Sequence, residues 1–226
     1  MLAKTRTFSE QLFEDYLRSQ GLTNFAYEKE WEGIPTRPDY TVYHKSDVYV
    51  FDVKQFENQT SIPLSGSFGV EPYSRIREKI NRVRSQFKYF KDKPCCLVLY
   101  TLDPFIRLRE ASVVLSAMYG DLGFTTLYDK TTGRPVPKST KREFLENGKM
   151  LRYESGQAQN QTISTLITLR IVGQTGEVGV IVWENYFARR QFPRSLFCGP
   201  FDERWGRNGD SIEQVFVGNR LADYQR

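Results

Sequence analysis

The chain has 226 residues, with 32 lysines and arginines against 27 aspartates and glutamates, one histidine and three cysteines. A single histidine excludes three-histidine and HExxH zinc sites and any two-histidine acid–base pair. Three cysteines, two of them adjacent, build neither a CxxC zinc site nor a disulfide framework, and the +5 net charge permits a polyanionic partner.

In chain order, Leu12, Phe13, Tyr16 and Leu17 form one stripe and predict a helix over Ser9–Gln20, capped by Ser9 and stopped at Gly21. Phe25–Trp31 reads as a strand that Ile34-Pro35-Thr36-Arg37-Pro38 breaks. Tyr40–Tyr43 and Val48–Val53 read as a hairpin across His44-Lys45-Ser46-Asp47. The run Val48-Tyr49-Val50-Phe51 is continuously apolar, as in a strand buried on both faces. Glu57–Tyr73 is a loop with Gly, Ser and Pro, long enough to be expected functional. Ser74–Lys91 is predicted helical, with Ile76, Ile80, Val83, Phe87 and Phe90 facing the core. Cys96–Tyr100 follows as a buried strand, Leu108–Tyr119 as a helix and Thr125–Tyr128 as a short strand.

These elements predict an α/β core over residues 1–128, a mixed central sheet flanked by helices. Residues 129–226 are expected to be a C-terminal α+β extension packed on that core. Its Asp129–Gln161 segment is polar, with one helix around Lys141–Met150. Thr162–Val172 and Gly179–Glu184 form a β-hairpin, and Phe187–Arg226 is irregular. Phe187–Arg194 and Asp202–Trp205 are expected to close the core rather than contact DNA. Cys95, Cys96 and Cys198 read as buried structural thiols, and His44 as an exposed turn residue. With no signal peptide and no apolar run near ~18 residues, a cytoplasmic chain without membrane association is expected.

The chemistry-bearing constellation is Pro38-Asp39 followed by Asp52-Val53-Lys54, the chain's single [DE]xK triplet. Antiparallel pairing sets the start of one strand beside the end of its partner, so Asp39 and Asp52 should converge. Lys54 shares the face of Asp52, because side chains alternate. Two carboxylates suit Mg²⁺, and the lysine suits an attacking water and the charge that develops on a phosphorane. Glu10, bordering the stripe of the first helix, is the expected third carboxylate, with Glu14 the alternative. The competing reading makes Asp39 a turn residue, Asp52 and Lys54 a strand-end ion pair, and Glu10 a helix-dipole glutamate.

Glu10, Pro38-Asp39, Asp52-Val53-Lys54 and the order helix, three strands, helix, strand resemble the PD-(D/E)xK nuclease superfamily. The spacings from Glu10 to Gly21 and from Asp39 to Asp52 are similar to those of archaeal Holliday-junction resolvases. The resemblance covers about residues 6–100. It implies a restriction-endonuclease-like fold and hydrolysis of phosphodiesters with Mg²⁺, for which Mn²⁺ substitutes. On that implication Glu10, Asp39, Asp52 and the Val53 carbonyl surround the metal, and Lys54 sits by the attacking water. Gln55 resembles a residue that holds the scissile phosphate. Gln86-Phe87-Lys88-Tyr89 is similar to the glutamine–tyrosine motif of bacterial recombination-type nuclease domains, shorter by one residue.

Arg75, Arg77, Lys79, Arg82, Arg84, Lys88, Lys91 and Lys93 crowd one helix and its end. They read as a phosphate-facing surface, with Arg75, Lys79, Arg82 and Gln86 as the nucleic-acid contacts, or as a solvated helix face. Phe68 and Tyr73 stack on bases or pack back on the core. Arg134, Lys138, Lys141 and Arg142 form a second basic stretch. The expected activity is a nuclease on DNA before RNA, with a homodimer allowed by two-strand cutting. The alternatives are a catalytically inactive nuclease-like nucleic-acid-binding module and a protein-interaction module.

Overall fold

The structure is a computed structural model that describes residues 5–57, 73–144, 148–152, 154–174, 176–209 and 211–224. Helix α1 (Phe8–Ser19) starts at Thr7, whose hydroxyl caps the Glu10 N–H while the Glu10 side chain returns to the Thr7 backbone. This is a capping box, legible as Thr7-Phe8-Ser9-Glu10, and it moves the cap from the expected Ser9 to Thr7. Strands β1 (Phe25–Tyr27), β2 (Tyr40–His44) and β3 (Asp47–Phe56) follow as an antiparallel meander. Helix α2 (Ser74–Phe87) carries the chain to β4 (Cys95–Thr101), parallel to β3. Helix α3 (Ala111–Tyr119) leads into the two-stranded pair β5 (Leu122–Thr125) and β6 (Lys141–Phe144). Strands β7 (Ile163–Val172), β8 (Glu177–Glu184), β9 (Glu203–Asn208) and β10 (Ser211–Val217) precede the short α4 (Asn219–Tyr224).

The main sheet is mixed, with order β1-β2-β3-β4-β7-β8-β9-β10. The C-terminal strands therefore continue the sheet itself, because β7 pairs in parallel with β4. Each sheet face has its own core. On one, α1 packs Leu12, Phe13, Tyr16 and Leu17 against Phe51, Val53, Cys96 and Val98. On the other, α2 and α3 pack Ile76, Ile80, Val83, Val114 and Met118 against Val50, Phe56, Leu97 and Leu99.

Four sequence expectations are corrected. The stretch from Lys141 starts as strand β6, paired with Leu122–Thr125, and not as a helix. The short strand lies at Leu122–Thr125 rather than Thr125–Tyr128. The last forty residues hold two strands and a helix. Strand β9 hides from hydropathy because its buried residues are Arg204 and Gly206. Arg204 is 1% exposed and meets Glu184 Oε1 at 3.1 Å, so an ion pair fills a position where the alternating pattern calls for an apolar residue. Cys198 is exposed, while Cys95 and Cys96 are buried and burial pushes both thiols up. Among the described residues, no helix is long and apolar enough to cross a membrane.

Candidate functional site

The central hairpin builds the site. Tyr40 pairs with Phe51, so Asp39, one residue earlier, stands across from Asp52. Val50 and Phe56 belong to the α2-side core and Phe51 and Val53 to the α1-side core. Alternation therefore aims Asp52 and Lys54 at the α2 side. His44 lies at the opposite end of the hairpin, paired with Asp47.

Lys54 Nζ lies 2.7 Å from Asp52 Oδ2 and 3.3 Å from Asp39 Oδ2. Asp39 Oδ2 also accepts from the Val53 N–H at 2.7 Å. One ammonium thus touches both carboxylates, and their Oδ2 atoms are no farther apart than those two contacts end to end. Asp52 is 1% exposed. Burial pushes its carboxyl up to about 7; the Asp39 charge adds to the rise and Lys54 opposes it. Burial pulls the Lys54 ammonium down, but Asp52 and Asp39 outweigh it and hold its pKa above the ordinary lysine value. Lys54 is therefore a charged donor at neutral pH and not a base.

Asp52 Oδ1 has no hydrogen-bond partner among the described residues, and Oδ2 meets Lys54 as a charge contact outside hydrogen-bond angles. A buried carboxylate oxygen without a donor is costly. Two adjoining carboxylates, one with such an oxygen, fit a Mg²⁺ held by one or two carboxylates, water and substrate phosphate. Among the described residues, no group of three or more acidic, cysteine or histidine side chains converges for a metal ion.

Glu10 is held apart. Its Oε2 accepts from Thr7 N at 2.6 Å and Thr7 Oγ1 at 2.9 Å, and its Oε1 from the Tyr27 hydroxyl at 3.2 Å. The cause is topological: α1 covers the other face of the sheet, and the capping box turns the carboxylate toward the helix start. Glu14, the alternative, is paired with Arg6 at 2.5 Å and Arg18 at 2.8 Å. Gln55 points to the α1 side as well. Its Oε1 accepts from Ser9 N at 3.1 Å, and its Nε2 donates to Glu57 Oε1 at 2.7 Å. Val53 enters the site through its N–H.

On α2, Arg75, Lys79, Arg82 and Gln86 recur at helical spacing and form one stripe. Lys79 Nζ donates to the Gln55 carbonyl at 3.3 Å; burial first, then the charges of Arg82 and Lys54, depress its pKa. Arg75 pairs with the buried Asp103 at 2.6 Å and donates to the Glu57 carbonyl at 3.2 Å. Gln86 Nε2 donates to the Arg37 carbonyl at 2.7 Å, tying α2 to the segment that delivers Asp39. Arg82 pairs with Glu78 on the surface. Phe68 lies outside the described residues, while Tyr73 packs back, its hydroxyl donating to Asp121 Oδ2 at 2.9 Å. Of the second basic stretch, Arg134, Lys138 and Lys141 lie exposed.

Sequence reasoning missed Asp103 and Tyr27. Asp103 follows β4 in a loop with no motif, and its signal is burial, which only the fold supplies. Tyr27 marks the approach of β1 to the site, its pKa raised by burial, then by Glu10, Glu28 and Asp39. No protein-family model, curated protein or solved structure matches the chain.

Proposed function

We propose that this chain is a metal-dependent phosphodiesterase of restriction-endonuclease-like fold that hydrolyses DNA in preference to RNA. The observation that carries the reading is one lysine ammonium touching two carboxylates, one of them buried with an unpartnered oxygen, at the end of a hairpin flanked by a cationic helix stripe. Asp52 and Asp39 would hold Mg²⁺ or Mn²⁺. When bound, the metal supplies Lewis-acid activation of water and neutralises phosphate charge. Lys54 keeps its proton and donates hydrogen bonds to the attacking water or to a phosphate oxygen as negative charge builds. Asp39 positions Lys54 through their contact. Lys79, one layer further along α2, adds a second cation beside the phosphate. Gln86 steadies the Arg37–Asp39 segment.

A non-catalytic nucleic-acid-binding module is the second reading. The engagement of Glu10 in its capping box favours it, since that removes a third carboxylate. A cleavage panel separates the two: linear, circular, single-stranded and branched DNA, and RNA, each with Mg²⁺ or Mn²⁺. The expected result is cleavage by the wild type, and loss of at least a hundredfold in Asp52→Ala and in Lys54→Ala with DNA binding retained. Cleavage unchanged in both variants would falsify the assignment. Binding without cleavage by the wild type would leave the second reading.

A further inference from the structure

A cavity of about 370 Å³ opens at the end of the sheet, between the Tyr100–Glu110 segment and the end of β7. Strands β3, β4 and β7 are parallel, so their C-terminal ends share one edge. Gln55 is the register partner of Tyr100, which lines the cavity. Tyr100 faces the α1 side as Gln55 does, while Ile106 and Leu108, which also line the cavity, belong to the α2-side core that Lys54 faces, so the cavity wraps the strand ends and reaches the face of the Lys54 site one strand away. Arg75 joins them: it reaches the Glu57 carbonyl just past β3 and Asp103, which lines the cavity.

The lining is chemically specific. Tyr100, Leu102 and Ile106 present aromatic and apolar surface, and the exposed Arg107 and Arg109 stand at the mouth. Phe8, 48% exposed at the start of α1, packs on Tyr100 with ring centroids 5.5 Å apart and carries the aromatic surface out of the cavity. The polar groups deeper in are already engaged. Thr168 Oγ1 donates to the Leu108 carbonyl at 3.1 Å and accepts from Trp183 Nε1 at 3.0 Å. Arg107 pairs with Glu110 at 3.3 Å and Arg109 donates to the Ile171 carbonyl at 3.3 Å, so what a ligand meets is aromatic and apolar surface plus two guanidinium groups with N–H donors beyond those contacts. That is the surface that stacks bases and binds phosphates without reading sequence. A cavity of this size admits one small planar group and excludes a base-paired duplex.

We infer that this cavity receives an unpaired nucleotide flanking the scissile phosphate, so that the substrate is DNA with a single-stranded segment. The inference rests on the nuclease reading of the Lys54 site for the word "scissile", and on its own geometry for the binding. Arg107 and Arg109 hold the phosphates of that segment, and Phe8 and Tyr100 take a base.

The test is binding measured in EDTA, where no cleavage occurs, by fluorescence anisotropy of a short oligothymidine and a blunt duplex. The wild type is expected to bind the oligothymidine at least fivefold more tightly. Phe8→Ala and Arg109→Ala, both at exposed positions, are each expected to weaken oligothymidine binding about tenfold and to erase that preference. Photocrosslinking with 4-thiothymidine, mapped by mass spectrometry, is expected to label residues 100–110 or 168–171. Equal affinity for both probes, or adducts elsewhere, overturns the inference. Single-strand binding through the cavity in a chain that never cuts would sink the nuclease reading alone. Asp52-dependent cutting with no single-strand preference would sink the cavity alone.

Discussion

Replacing Asp52 by asparagine removes a buried carboxyl whose proton the folded chain holds more tightly than the unfolded chain does. The folded value is about 7, against an ordinary 3.8, with burial as the main cause. A raised value means that the stabilisation from this group is complete below about pH 3.8 and is lost as pH climbs through about 7. At about 1.4 kcal/mol per pH unit, the full loss is on the order of 4 kcal/mol, or roughly 10 °C in Tm for a chain of this length. Asparagine does not titrate, so the variant escapes the loss. Thermal melts of both proteins in EDTA from pH 4.5 to 8.5 should therefore show the variant gaining on the wild type as pH rises. Adding Mg²⁺ at a hundred times its dissociation constant should return about 2.7 kcal/mol to the wild type at pH 8 and nothing to the variant. A stability gap that stays constant across this pH range would refute the reasoning, because Asp52 would then ionise like a solvated carboxylate.

Two further outcomes probe the parts of the fold around the site. Glu10→Gln should cost about 1 kcal/mol or less in urea melts, since glutamine also serves a capping box, and cleavage should persist; abolished cleavage in a folded Glu10→Gln protein would return Glu10 to the metal site. Glu184→Ala should cost about 3–5 kcal/mol, because it leaves the buried Arg204 guanidinium without its carboxylate, and a loss under 1 kcal/mol in the same melts would show that the pair is dispensable.

The chain-order pattern in the sequence determined most of the first half of the fold. The Leu12/Phe13/Tyr16/Leu17 stripe, the apolar run from Val48 and the Ile76/Ile80/Val83/Phe87 spacing each specify an element and its buried face, because local period and burial coincide there. The same logic carried over to the site. Hairpin spacing and alternation are local rules, so the meeting of Asp39, Asp52 and Lys54 is legible in the sequence. The Thr7-x-x-Glu10 capping signature was readable too, and it competes directly with the placement of Glu10 at a metal.

Tertiary structure alone decided the rest. That β7 sits beside β4, making residues after 129 half of the sheet, depends on pairing between distant segments, which no local period encodes. Strand β9 was illegible because an arginine and a glycine occupy its buried positions, and the arginine's burial is compensated by Glu184 from another strand. Gln55 followed Lys54 in sequence but faces the other core, and Glu10 lies on the helix that covers that same face. The net charge of +5 read at the outset resolves into a particular stripe, with Lys79 and Arg75 turned to the end of β3, and into Arg107 and Arg109 at the mouth of the neighbouring cavity. Composition fixes how much charge the chain carries. Only the parallel ends of β3, β4 and β7 decide that this charge gathers along one edge.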